Sequence, residues 1–91
     1  MIDDEDEMIS IKVLGPGCAN CAKVADLAHK AAGSLGVQAN IEKVTDFAEI
    51  RRYKILATPG LVINDKVVCA ARVPTLAEVT TWLANAMAAG Q

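Results

Sequence analysis

The residues with most chemical capacity in this sequence are three cysteines, a close pair at Cys18 and Cys21 and a single thiol at Cys69. Two thiols three positions apart open two chemistries. On a helix, residues i and i+3 share a face, so the two sulfurs come close enough to join in a small disulfide ring and to part again. The same spacing supplies two thiolates of a zinc or copper(I) site. A mononuclear zinc site needs four ligands, and only Cys69 and the single His29 remain as further Cys or His. His29 lies eight residues beyond Cys21, too far along one helix to join it, and reads as an ordinary surface histidine. Metal binding by the pair therefore stands as the alternative to redox exchange, and no metal ligand set is assigned.

The elements that must position these thiols follow from hydrophobic spacing and turn residues. Residues 8–14, β-branched and apolar, read as a strand that stops at Gly15-Pro16-Gly17. Helix formers run from Ala19 to Leu35, with Cys21, Val24, Ala28, Ala31 and Leu35 on one stripe and Gly33 and Gly36 expected to end it. Residues 37–45 read as a second strand, so the first three elements form a βαβ unit with parallel strands. Asp46 with Glu49 predicts a capped short helix to about Lys54, with Phe47 and Ile50 facing inward. Residues 61–63 and 66–70 flank Asn64-Asp65, a pair suited to a tight hairpin turn. After the corner at Pro74, Thr75 and Glu78 predict a capping box before a last helix to about Met87, with Leu76, Val79, Leu83 and Ala86 on its apolar face. The expected order is β-α-β-α-β-β-α.

This order places Cys18 and Cys21 at the first turn of a helix that follows a strand. The unpaired N–H groups and the positive end of the helix dipole there stabilise a thiolate. An ordinary thiol, with a pKa of about 8.5, is only about 3% ionised at neutral pH, so this placement matters. Cys18 is the expected nucleophile. Cys21, one turn inside and on the apolar stripe, is the expected resolving thiol. In that cycle Cys18 attacks a substrate disulfide, and Cys21 then attacks Cys18, releasing reduced substrate and leaving a Cys18–Cys21 disulfide.

With Gly15-Pro-Gly-Cys-Ala-Asn-Cys21 and Tyr53-Lys-Ile-Leu-Ala-Thr-Pro-Gly-Leu-Val-Ile63 in this order of elements, the chain resembles the thioredoxin superfamily. It is most similar to the small, glutaredoxin-sized redox-active disulfide proteins of bacteria and archaea. The resemblance runs from about Ile9 to Met87. It implies an α/β thioredoxin-like fold, a four-stranded mixed sheet with helices on both faces, and an enzyme exchanging electrons with protein disulfides. It also implies that Pro59 follows a cis bond beside the cysteine pair. Thr58, Pro59 and Gly17 would then be the substrate-binding residues, with the Thr58 backbone pairing with substrate peptide. No organic cofactor is implied, so a thioredoxin-reductase-like flavoenzyme is the expected electron donor.

The sequence departs from that pattern in three ways. Gly17 stands where typical thioredoxins carry Trp, and Ala19-Asn20 replace Gly-Pro between the cysteines. No carboxylate lies on the first strand, so what takes the Cys21 proton stays open, with Lys12 or water as candidates. The glutathione-recognition stretch of glutaredoxins is not reproduced after Gly60.

Length and charge set the remaining expectations. The chain has 91 residues, of which 53% are hydrophobic, but 16 are Ala and only one each are Trp, Tyr and Phe. One domain over residues 8–91 is all this length supports, and its core must be Val, Ile and Leu. Asp3, Asp4, Glu5, Asp6 and Glu7 hold five of the eleven acids. Residues 1–7 are therefore expected to form a solvated, disordered tail, with docking as its other use. Neither a basic patch nor an aromatic platform points to nucleic acid. No apolar run is long enough for a membrane span and no secretory signal is present, so the chain is expected to be cytoplasmic; the odd cysteine count argues against a disulfide framework, and a monomer is expected. Cys69 reads as a buried, inert thiol. Arg51, Arg52 and Lys54 read as cations favouring a helix C-terminus, and Trp82 as packing at the helix interface.

Overall fold

The computed structural model describes residues 9–16, 19–55 and 57–89, with side chains as far as Met87. The expected acidic tail, Met8, Gly17 and Cys18 lie outside the described residues. The elements are β1 (Ile9–Leu14), α1 (Ala19–Leu35), β2 (Ala39–Val44), α2 (Phe47–Arg52), β3 (Gly60–Ile63), β4 (Lys66–Ala70) and α3 (Leu76–Ala89). The sheet order is β2-β1-β3-β4. β1 and β2 are parallel, whereas β1 with β3 and β3 with β4 are antiparallel. This is the mixed four-stranded α/β architecture the sequence implied. No helix among the described residues is long and apolar enough to cross a membrane.

Strand alternation divides the core between the two faces of the sheet. Ile9, Ile11 and Val13 of β1 join Leu61 and Ile63 of β3 on one face, beneath α1 and α3. Leu14 and Val62 point to the other face, where Ile50 of α2 covers them with Val44, Tyr53, Ile55 and Val67 at the margin. Helices thus lie on both faces. α1 buries Val24 among Ala25, Ala28, Ala31 and Ala32, and these short side chains let it pack closely on both the sheet and α3. Three aromatic residues suffice because alanine, not large rings, fills the helix–helix seam.

Local chemistry explains where the elements start and stop. α1 runs through Gly33 and ends in a Schellman motif: Gly36, at φ +69°, donates to the Gly33 carbonyl at 3.2 Å, and Val37 donates to Ala32 at 3.1 Å. Gly33 therefore does not end the helix, and Val37, engaged in the cap, cannot begin β2, which starts at Ala39. Asp46 caps α2 by accepting from the Ala48 N–H at 3.1 Å. Glu49 instead lies 3.8 Å from Arg52. The hairpin turn places Asn64 and Asp65 at φ 50° and 67°, the two successive positive values of a type I′ turn.

Two expected inward residues point outward. Phe47 is 62% and Leu76 43% exposed. Each is the first residue of its helix, and the inward position comes three residues later, at Ile50 and Val79, both buried. Trp82 is half-buried and lines a groove with Ile63 and Val68 of the hairpin. A β-bulge lets Leu61 pair with Cys69 but Val62 with Val67, skipping Val68. The bulge brings Val68 and Cys69 together to the α1/α3 face.

The capping box of α3 forms in both directions. Thr75 Oγ1 accepts from the Glu78 N–H at 3.1 Å, and Glu78 Oε1 accepts from the Thr75 N–H at 2.9 Å. Arg72 adds a two-pronged pair to the same carboxylate at 3.0 Å on each arm. The Arg72 hydrogen bond, assisted by the Thr75 N–H, lowers the Glu78 pKa from the usual 4.5 to about 2. A carboxylate depressed in the folded state contributes stability fully above its unfolded pKa and loses it as pH falls through the folded value. The melting temperature of the wild type should therefore fall more steeply between about pH 4.5 and 2 than that of Glu78→Gln. Parallel pH profiles would show that Glu78 contributes nothing to acid sensitivity.

Candidate active site at the C-terminal edge of the sheet

β1 and β2 run parallel to one end of the sheet, and the antiparallel β3 begins at that end. Consequently Gly15 after β1, the first turn of α1 and the Thr58-Pro59 approach to β3 meet at one edge. Cys21 is the third residue of α1 and is buried, with 4% of its surface exposed. A methyl group added at Gly15 would overlap the Cys21 sulfur and would lie 3.6 Å from the Thr58 Cβ. Gly15 is buried and has no side chain where Cys21 and Thr58 converge. The structure thus brings together Cys21, Thr58 and Pro59 of the expected site residues; Cys18 and Gly17 fall outside the described residues.

The Thr58–Pro59 peptide bond is cis. The Pro59 carbonyl accepts from the Ala71 N–H at 2.8 Å, which ties the start of β3 to the loop after β4. Thr58 is half-buried. Its backbone N–H and C=O have no partner among the described residues. A backbone amide and carbonyl left unpaired at the end of the sheet, just before β3 begins, can receive an added extended peptide.

Three other residues are settled by their surroundings. Lys12 belongs to the opposite face of β1 from the residues that pack beneath α1. Its Nζ donates to the Tyr53 hydroxyl at 3.2 Å and lies 5.9 Å from that ring's centroid. The Tyr53 contact raises the Lys12 pKa. The expectation that Lys12 could take the Cys21 proton is therefore corrected: the sheet separates the two. His29 is exposed on α1. Cys69 is buried in β4, and its thiol donates to the Arg72 carbonyl at 3.7 Å, as expected of a thiol used as a small core residue. Among the described residues no three His, Cys, Asp or Glu side chains gather into a metal site.

Gly15 is the functional position that sequence reasoning missed. It was legible only as part of a Gly-Pro-Gly turn, whereas its structural requirement comes from a side chain six residues later. Gly15→Ala should destabilise the protein by about 1–3 kcal/mol through overpacking. In a Cys21→Ala background, where the sulfur is absent, that cost should largely disappear, giving a coupling of about 1 kcal/mol or more in a urea-denaturation double-mutant cycle. Equal costs in the two backgrounds would show that the Gly15–Cys21 contact is not the constraint.

Comparison with known proteins agrees with this geometry. Residues 9–84 match the family described as "Thioredoxin domain", from the first residue of β1 well into α3. The chain is 35% identical over 72 residues to a protein named Thioredoxin from Methanocaldococcus jannaschii, covering 79% of this chain and 83% of the relative. It is 32% identical, also over 72 residues, to a Thioredoxin from Methanothermobacter thermautotrophicus, covering 79% of this chain and 94% of that protein. From the order of its strands to the sequence between Ile9 and Ala84, this chain belongs to the thioredoxin family.

Proposed function

We propose that this protein is a thiol–disulfide oxidoreductase that reduces protein disulfides through the Cys18-Ala19-Asn20-Cys21 pair. The observation that carries the reading is the meeting of Cys21, in the first turn of α1, with Thr58 at the edge beside Pro59. The family membership and the two relatives named Thioredoxin support the same chemistry.

In this mechanism the Cys18 thiolate attacks one sulfur of a substrate disulfide. A Cys18–substrate bond forms, the substrate S–S bond breaks, and the other substrate sulfur leaves as a thiolate. Cys21, losing its proton, then attacks the Cys18 sulfur. The Cys18–Cys21 bond forms and the second substrate thiolate departs, so two electrons pass to the substrate and its two sulfurs finish as thiols. Water is the remaining acceptor for the Cys21 proton, because Lys12 is engaged by Tyr53 on the far face of the sheet.

Substrate binding follows from the Thr58 edge. An extended substrate segment carrying the disulfide would exchange main-chain hydrogen bonds with Thr58, while the Pro59 carbonyl stays committed to Ala71. Gly17, with no side chain, would leave room for the substrate beside Cys18. The electrons would be returned to the pair by another protein, a thioredoxin-reductase-like flavoenzyme, acting in the cytoplasm on a monomeric chain.

Reduction of a disulfide-bonded reporter protein, with dithiothreitol as electron source, tests the assignment. Cys18→Ser should abolish catalysis. Cys21→Ser should hold the reporter as a mixed disulfide on Cys18, visible as a covalent adduct on non-reducing gels. Cys69→Ser should retain full activity. Activity that survives Cys18→Ser but not Cys69→Ser would overturn the roles. A wild type without reductase activity that binds one equivalent of zinc or copper(I) tightly would replace the redox reading with the metal-binding one.

A further inference from the structure

The ladder between β3 and β4 ends one residue beyond the pair Gly60 and Ala70, where the Ala71 N–H donates to the Pro59 carbonyl at 2.8 Å. Ala71 stands there at φ +69°, a left-handed conformation that glycine adopts freely and alanine only at a cost. Asn64 and Asp65 share the positive sign, but their short polar side chains are suited to it. Ala71 has no polar side chain to offset the cost. A strained residue of this kind persists only where its surroundings over-determine it, and such residues gather at ligand clamps.

The surroundings of Ala71 are specific. Pro59 holds it on one side. On the other, Arg72 is engaged through both backbone and side chain: its carbonyl accepts from the Cys69 thiol at 3.7 Å, and its guanidinium makes the two-pronged pair with Glu78 at 3.0 Å on each arm. Glu78 is itself fixed by Thr75 in the capping box of α3. With its pKa lowered to about 2, Glu78 stays ionised wherever thiols react. An arginine–carboxylate fork fixes direction as well as distance. A continuous chain of contacts therefore runs from the start of α3 through Arg72 and Ala71 to the Pro59 carbonyl, one residue from Thr58.

We propose that Arg72 is a positioning residue for substrate: braced by Glu78, it keeps Ala71 left-handed and bonded to Pro59, which holds the neighbouring Thr58 N–H and C=O in place for an extended substrate segment. This rests on the redox reading of Cys18 and Cys21 and on main-chain docking at Thr58. The Arg72 guanidinium is committed to Glu78, so its effect falls on substrate binding and not on sulfur exchange.

Pre-reduced protein, freed of reductant and mixed with increasing amounts of a disulfide-bonded reporter protein, yields a half-saturating concentration and a limiting rate. Arg72→Ala should raise the former roughly tenfold, the order expected for weakening one substrate hydrogen bond, and leave the latter within about twofold. Arg72→Lys, a cation without the fork, should recover only part of the loss. Ala71→Gly in the Arg72→Ala background should recover most of it, because glycine holds a positive φ without a brace. The small disulfide dithiobis(nitrobenzoate) has no peptide backbone to pair with Thr58 and should react with the wild type and every variant at one rate. An unchanged half-saturating concentration in Arg72→Ala, or an equal loss toward both disulfides, would overturn the inference and leave the redox reading intact. So would failure of Ala71→Gly to restore binding. A wild type inert toward both disulfides would overturn the redox reading and this inference with it.

Discussion

The arrangement depends on the absence of a single side chain. β1 ends where the first turn of α1 and the approach to β3 press against it from two sides, and the volume that a Cβ at Gly15 would fill is held by the Cys21 sulfur. An L-residue with any side chain would force the helix start away from the sheet or turn the thiol out of the core. Both changes would separate Cys21 from Thr58. The contact is a packing constraint with a chemical consequence, because it fixes a buried sulfur in the first turn of α1, where Thr58 approaches β3.

The rest of the fold keeps that junction rigid. Beneath α1 and α3, alternating apolar residues of β1 and β3 meet an alanine-rich helix stripe. On the other face, α2 supplies Ile50 over Leu14 and Val62. The loop after β4 is held at both ends: Ala71 bonds the Pro59 carbonyl, and Arg72 grips Glu78 of the α3 capping box. The hydrogen bonds that secure Pro59 and cap α3 thus belong to one short connection. Cys69 fills space at its start, and the bulge at Val68 explains why two consecutive β4 residues reach the same core.

Much of this was legible in the sequence because it depends on local rules. The helix periods, the Thr75/Glu78 box, the Asn64-Asp65 turn and the four strands all follow from spacing and turn chemistry. The errors arise where tertiary geometry decides. Phe47 and Leu76 looked inward by hydropathy, but apolar character does not compel burial, and at the first position of a helix neither faces the sheet. The Schellman cap took Val37 from β2, a loss visible only once Gly36 adopts its left-handed conformation. Lys12 could have been excluded from sequence alone: alternation sets it opposite Ile11 and Val13, the residues that face α1. Gly15 could not have been singled out, since its requirement is set by Cys21 and Thr58 across the fold.

The central claim is that Cys18 and Cys21 act as one two-electron couple while Cys69 stands apart. Equilibrating the protein in graded mixtures of reduced and oxidised dithiothreitol, then labelling thiols and locating them by peptide mass spectrometry, tests it most directly. The account predicts a single transition in which Cys18 and Cys21 lose their thiols together, following the two-electron slope of about 30 mV per tenfold change, with Cys69 remaining labelled after denaturation throughout. A disulfide that includes Cys69, or persistence of both Cys18 and Cys21 as thiols under fully oxidising conditions, would contradict it.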